Sequence, residues 1–327
     1  MRPMPDPRLL PTSRRRVLLA GACASLTVPA WAQPRLDKVV VAGWSKPITE
    51  VTPLLVDEDK PFYRSQGIAI EYVPGAGGGD AIRNLLGGQA EVAFTDPGSL
   101  FAALDKGEKL RAVYDIYPQN VFNVVSLRKS GIRKPADLKG KRIGVYSLAS
   151  GTRQNLQVLL HLAGLSEADV SIVVTGLLNF APLLQGQVDA TAATDTGLLV
   201  GRRRGLTDVD VMEVGQVLNV SSDLFVVRED AYQRRKDVLR RFLRGYRDAA
   251  AWMIANPAEA AALAGKRAID ATDPELALEV VRQRNAVSVS ELTRQKGLGA
   301  MDVATLQKAA DVYRQLGLVK QPIDMAQ

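Results

Sequence analysis

One phrase occurs twice in this 327-residue chain. Gly88 to Asp96 reads GQAEVAFTD and Gly186 to Asp195 reads GQVDATAATD, with Leu85 and Leu86 just before the first copy and Leu183 and Leu184 just before the second. In each copy a helix ends near a glycine and a short apolar run follows, of a length that suits a buried strand. The run then leaves through a threonine and an aspartate. Repetition of so specific a helix-to-strand junction requires two α/β units of related design.

The rest of the chain fits two such units. KVVVAGW and GIAIEYV read as strands, GAGGGD as a glycine-rich loop, and Asp80 as the start of a helix carrying Ile82, Leu85 and Leu86 on one face. Pro97 opens the helix after the first copy. The order resumes with strand KRIGVYS, helix SGTRQNLQVLLHLAG, strand VSIVVTG and helix FAPLLQGQ before the second copy. Strands alternating with helices imply mostly parallel sheets with right-handed connections. FNVVSLRKSG (122–131) and DLFVVREDAY (223–232) read as two crossings between the units, which together make a hinge. Past Arg228, Val238, Leu239, Phe242, Leu243, Tyr246, Ala249 and Ala250 recur at a helical period, with arginines opposite. This helical tail is expected to return to the first unit. The expected division is 1–32 as a leader, 33–124 with 226–327 as lobe 1, and 125–225 as lobe 2.

The leader reading rests on SRRRVLLAGACASLTVPAWA, in which a cationic start precedes an apolar run and small residues at Ala30 and Ala32. Arg14, Arg15 and Arg16 fit a twin-arginine export signal, and ordinary secretory signals share the rest of the pattern. Lipid attachment at Cys23 is the lesser reading. Without residues 1–32 the charge is 37 basic against 34 acidic residues, so most of the formal +7 belongs to the leader. A nearly balanced surface does not suit phosphate tracking along a nucleic acid. The only cysteine leaves with the leader, which removes disulfides and a thiol nucleophile. No other stretch is apolar over the length needed to span a bilayer. A soluble, periplasmic chain is expected, a monomer by default, touching the membrane only through a partner.

LLGGQAEVAFTDP, KPADLKGKRIGVYSLASGT, LLQGQVDATAATDT, DLFVVRED and LGLVKQPID, in that order, resemble periplasmic solute-binding proteins of the type 2 fold. The resemblance is to the NMT1/THI5-like branch, which groups sulfonate, nitrate and thiamine-precursor binders of ABC importers. It implies two α/β lobes, each a mixed, mostly parallel sheet flanked by helices, joined by two crossover strands. It further implies a small-molecule ligand in the cleft, delivery to an importer permease, and no cofactor. Ligand contacts implied by the resemblance fall at Trp44, Thr95, Asp96, Ser150, Gly151, Thr152, Arg153, Asn179, Asp195 and Thr196. Asn120 is a further candidate beside the first crossing. Ligands of open α/β sheets gather at strand carboxyl ends, which points to the same loops.

SLASGTR offers the most definite chemistry. If Ser150 caps a helix, the free N–H groups of the first turn favour an anion, with Arg153 alongside. The same residues cap many helices without a ligand, and Arg153 can equally pair with an acid. Asp96 and Asp195 suit an amine or ring nitrogen, or act only as caps. Trp44 can stack on a ring or pack the lobe. Asn120 and Asn179 can simply satisfy turns.

Catalysis is not expected. GWSKP lacks the last glycine of a nucleophile elbow, and the single histidine, His161, lies in a helical run. The usual metal sites need several His or Cys ligands. GAGGGD lacks both the dinucleotide and the phosphate-loop signatures. The expectation is therefore an importer's binding component for a small organic anion such as a sulfonate or carboxylate. The alternatives are a pyrimidine or other amine-containing ligand, and solute sensing without transport.

Overall fold

The computed structural model describes residues 35–178 and 180–326. The expected leader, Cys23 and Asn179 lie outside them. The first sheet holds β1 (Asp37–Ala42), β2 (Ile68–Val73), β3 (Val92–Thr95), β4 (Leu110–Tyr117) and β10 (Asp223–Arg228). The second holds β5 (Phe122–Leu127), β6 (Arg142–Val145), β7 (Ser171–Val174), β8 (Ala190–Thr194) and β9 (Val209–Glu213). The helices are α1 (Gly78–Leu86), α2 (Pro97–Leu104), α3 (Gly151–Leu162), α4 (Ala181–Leu184), α5 (Asp195–Arg203), α6 (Glu229–Arg234), α7 (Lys236–Ala255), α8 (Pro257–Arg267), α9 (Pro274–Val287), α10 (Glu291–Lys296) and α11 (Val303–Gln315).

The sheets share one plan. Their strand orders are β2-β1-β3-β10-β4 and β7-β6-β8-β5-β9, so β6, β7, β8 and β9 take the places of β1, β2, β3 and β4. One strand in each runs antiparallel to its neighbours: β10 between β3 and β4, and β5 between β8 and β9. Each antiparallel strand follows a passage from the other lobe, through residues 118–121 into β5 and 217–222 into β10. The two segments read as crossings are thus the strands that receive the chain once it has crossed.

The repeated phrase supplies equivalent central strands, β3 and β8. Gly88 and Gly186, the stops before them, both adopt left-handed backbone (φ 72° and 69°), a conformation that penalises any side chain bearing a Cβ. Every residue of β3 is buried, as expected of a strand between paired neighbours with helices over its faces. The helix after GAGGGD begins at Gly78, two residues ahead of the expected Asp80 start. Asp80 instead accepts a hydrogen bond from the Ala76 amide.

The helical tail packs largely on the first sheet. Leu239, Phe242, Tyr246 and Ala250 of α7 join Phe94, Tyr114 and Phe225 in one apolar cluster. Phe225 and Tyr246 meet edge to face with ring centroids 4.6 Å apart. Tyr313 of α11 meets Phe101 of α2 in the same manner at 5.3 Å. Truncating a buried aromatic in such a cluster costs about 3–5 kcal/mol. The tail thereby acquires a fixed position, and α9 comes to lie beside α5 of the second lobe.

Candidate functional site

A cavity of about 270 Å³ lies between the lobes. The first lobe contributes Trp44 after β1, Glu50 from the 3-10 turn Thr49–Leu54, Gly77 and Gly78 at the start of α1, Asp96 at the cap of α2, and Asp223 at the start of β10. The second contributes Phe122, Tyr146 after β6, Ser150, Gly151 and Thr152 at the start of α3, and Thr194 and Thr196 around the start of α5. Arg284 of α9 and Asp270 reach it from the tail. A larger open groove of about 990 Å³, among β4, α7, α11 and residues 322–326, contains none of the candidate residues.

Trp44 and Tyr146 hold equivalent positions after β1 and β6, the strands that correspond in the two sheets. Their rings meet edge to face across the cleft at 6.3 Å, and Trp44 meets Phe94 the same way behind it. VAGWS and IGVYS repeat this strand-aromatic-serine ending in the sequence. That signal, unused above, points to Tyr146.

Ser150 caps α3 by accepting a hydrogen bond from the Arg153 amide, and shares a 2.7 Å contact with the Thr152 hydroxyl. Thr152 Oγ1 in turn accepts from the Tyr146 amide. The Arg153 side chain turns away: Nε and Nη2 donate to Glu167 at 2.6 and 2.5 Å, and Nη1 donates to the Leu148 carbonyl. Arg153 does not line the cavity, because Glu167 and Leu148 hold its guanidinium on the other side of the helix start.

Asp96 lines the cavity with both oxygens in use, accepting from the Ser99 amide at 2.9 Å and its hydroxyl at 2.7 Å. Burial raises its carboxyl above the ordinary range, and the Ser99 bonds oppose that rise. Thr95 is wholly buried behind it and does not line the cavity. Asp195 also stands back, accepting from the Thr196 amide at 2.7 Å and pairing with Arg284. Asn120 ties the two passages together. Its Nδ2 donates to Asn155 Oδ1 and the Leu218 carbonyl, its amide donates to Asn219, and its Oδ1 accepts from the Phe122 amide. Both polar ends of the Asn120 side chain are thus engaged within the protein. The structure thus brings Trp44, Asp96, Ser150, Gly151, Thr152 and Thr196 to the cavity. It leaves Thr95, Asn120, Arg153 and Asp195 off it.

The residues missed above carry most of the charge. Arg284 is 1% exposed and lies over the Tyr117 ring at 5.1 Å, its Nε 3.5 Å from Glu50 and its Nη2 against Asp195. Glu50 accepts from the Thr196 hydroxyl at 2.7 Å. Asp270 accepts from the amide and hydroxyl of Thr49. Asp223 is 7% exposed, and burial raises its carboxyl well above the ordinary range, reinforced by the nearby carboxyls of Asp96, Glu50 and Asp115. The lining therefore holds four carboxyl side chains (Glu50, Asp96, Asp223, Asp270) against two guanidiniums (Arg204, Arg284). Among the described residues, no group of three or more His, Cys, Asp or Glu is disposed to hold a metal ion.

Two α/β lobes of one strand order, with a cavity at the strand-end loops between them, define the type 2 periplasmic-binding-protein fold. The alkanesulfonate-binding protein SsuA of Xanthomonas axonopodis pv. citri, solved bound to MOPS, superposes with a TM-score of 0.70 at 20% identity, over 90% of this chain and 98% of that one. The chain belongs to the NMT1/THI5-like family, whose model matches residues 48–260. It is 26% identical to the riboflavin-binding protein RibY of Chloroflexus aurantiacus over 95% of this chain and 93% of the relative. It is 25% identical to the taurine-binding periplasmic protein of Escherichia coli over 76% and 71% of the respective lengths.

Proposed function

We propose that this protein is the extracytoplasmic solute-binding component of an ABC importer, and that it closes its lobes on a small planar heteroaromatic solute bearing N–H donors. One observation carries the choice of solute: aromatic side chains from both lobes, Trp44 and Tyr146, wall a cavity whose carboxyl groups outnumber its guanidiniums. Ring contacts of this kind contribute about 0.5–1.5 kcal/mol each beyond burial, and a hydrogen bond to a charged group about 1.5–3 kcal/mol. A few together approach the roughly 8 kcal/mol of micromolar binding. The likeness to a riboflavin-binding protein over nearly the whole chain agrees with this solute class.

Closure follows from contact with both lobes, since a solute shifts the open and shut forms only by its differential affinity for them. The permease then receives the shut form. Residues 1–32 fit export to the periplasm, where the protein acts as a monomer and leaves the solute chemically unchanged.

An anion is the second reading, favoured by the Ser150-capped start of α3 and by the taurine- and alkanesulfonate-binding relatives. Against it, Arg153 is committed to Glu167, and Arg284 is shared by Glu50 and Asp195. Thermal-shift measurements with riboflavin, 4-amino-5-hydroxymethyl-2-methylpyrimidine, taurine, an alkanesulfonate and nitrate separate the two. Stabilisation by a heteroaromatic is the expected result; stabilisation by the anions alone reverses the choice.

A further inference from the structure

Resting on the reading of a heteroaromatic solute, we infer that Asp223 selects among such solutes by accepting an N–H, and that the favoured ring presents a lactam or imide edge. Leu224 pairs with Thr95 across β10 and β3, so the next residues, Asp223 and Asp96, stand together at the cleft end of the sheet. Their situations differ. Both oxygens of Asp96 are occupied by Ser99, Glu50 is held by Thr196, and Asp270 by Thr49. The Asp223 carboxyl alone among the lining carboxyls has no hydrogen-bond partner or counter-ion within the described residues, although it is more than nine-tenths buried.

A buried polar group left unpaired is costly, and a solute N–H placed against it removes that cost at the moment of binding. One lining donor, Trp44 at Nε1, is buried without a hydrogen-bond partner among the described residues, whereas Arg284 Nε and Nη2 lie against Glu50 and Asp195. One acceptor, Asp223, and one donor, Trp44, complement an edge in which N–H adjoins C=O. A sulfonate or carboxylate at Asp223 would instead set acceptor oxygens against a carboxyl in need of a donor, and a ring without N–H would leave the carboxyl unpaired.

Calorimetric titration of the whole protein with riboflavin and 3-methylriboflavin, and with 1-methylthymine and 1,3-dimethylthymine, tests this directly. Methylation at the imide nitrogen is expected to weaken binding to the unaltered protein at least tenfold in whichever pair binds. Asp223→Leu is expected to weaken the unmethylated solute to a similar extent and to erase the difference within the pair, with retention of fold checked by its melting transition. Equal affinities for the methylated and unmethylated forms overturn the role of Asp223 while leaving heteroaromatic capture intact. Failure of both pairs to bind, with the aminopyrimidine still stabilising the protein, overturns the lactam edge alone. Failure of every heteroaromatic overturns the parent reading as well.

Discussion

Glu50 and Thr196, 146 positions apart, are joined across the cleft by a 2.7 Å hydrogen bond from the threonine hydroxyl to Oε1. The same carboxylate faces Arg284, whose other partner is Asp195, next to Thr196. A tail residue thus connects the turn of one lobe to the helix start of the other. Ser147 and Ala149 of the second lobe hold the opposite rim, Ser147 donating to the Ala76 carbonyl and Ala149 accepting from the Gly79 amide. The lobes are latched on both sides of the cavity.

Removing either member of the tail-side latch has separable effects. Thr196→Val deletes one hydrogen bond of about 1 kcal/mol and is expected to open the unliganded lobes, read as a larger radius of gyration by small-angle scattering. Arg284→Met leaves Glu50 and Asp195 facing each other without their shared cation, a loss of about 3–5 kcal/mol for a broken buried pair. Its melting temperature should fall well below that of the threonine variant.

Arg153→Ala should leave solute affinity unchanged within about twofold, because the side chain points to Glu167 and Leu148. Stability should drop by no more than about 1 kcal/mol, as for other partly exposed ion pairs. A tenfold loss of affinity in calorimetry would return Arg153 to the ligand-binding set.

Gly77 lies in the cleft with φ 123°, and a Cβ there would come within 2.4 Å of the Ala149 carbonyl in the other lobe. Gly77→Ala is expected to obstruct closure as well as strain the backbone. Affinity should fall at least tenfold, and added solute should no longer reduce the radius of gyration.

Asp115 stands beside the second passage, accepting from the Ser221 hydroxyl at 2.6 Å while its other oxygen is buried without a hydrogen-bond partner among the described residues. Burial raises its carboxyl to about 7 from the ordinary 3.8. A folded-state value above the unfolded one means that stability is fully present below pH 4 and is lost as pH rises through 7. At about 1.4 kcal/mol per unit, the whole effect is of the order of 4 kcal/mol. Asp115→Asn should melt at a higher temperature than the unaltered protein at pH 8, with the advantage shrinking toward pH 4. Parallel melting curves across that range would remove Asp115 as the source.

Much of the architecture could be read along the chain. The doubled phrase located β3 and β8 because a helix stop, a strand and its exit are each set by neighbouring residues: glycine for left-handed backbone at 88 and 186, small or apolar side chains for a strand covered on both faces. Ser150 was legible as a cap for the same reason, since its partner, the Arg153 amide, is three residues away. Trp44 was legible as a strand-end residue, and Tyr146 was missed only because the parallel between VAGWS and IGVYS went unused.

What local sequence determined was therefore two matched α/β lobes and the set of loops that face each other. Only the tertiary structure decided which side chains in those loops remain available. Arg153 is turned aside by Glu167, Asn120 is consumed by Asn155, Asn219 and Leu218, and Arg284 is carried in on a helix that no strand pattern assigns to a cleft. Periodicity places a backbone, but the direction and charge balance of a buried polar group depend on partners brought from distant segments. Those partners here left Asp223, alone of the cleft carboxyls, without one among the described residues.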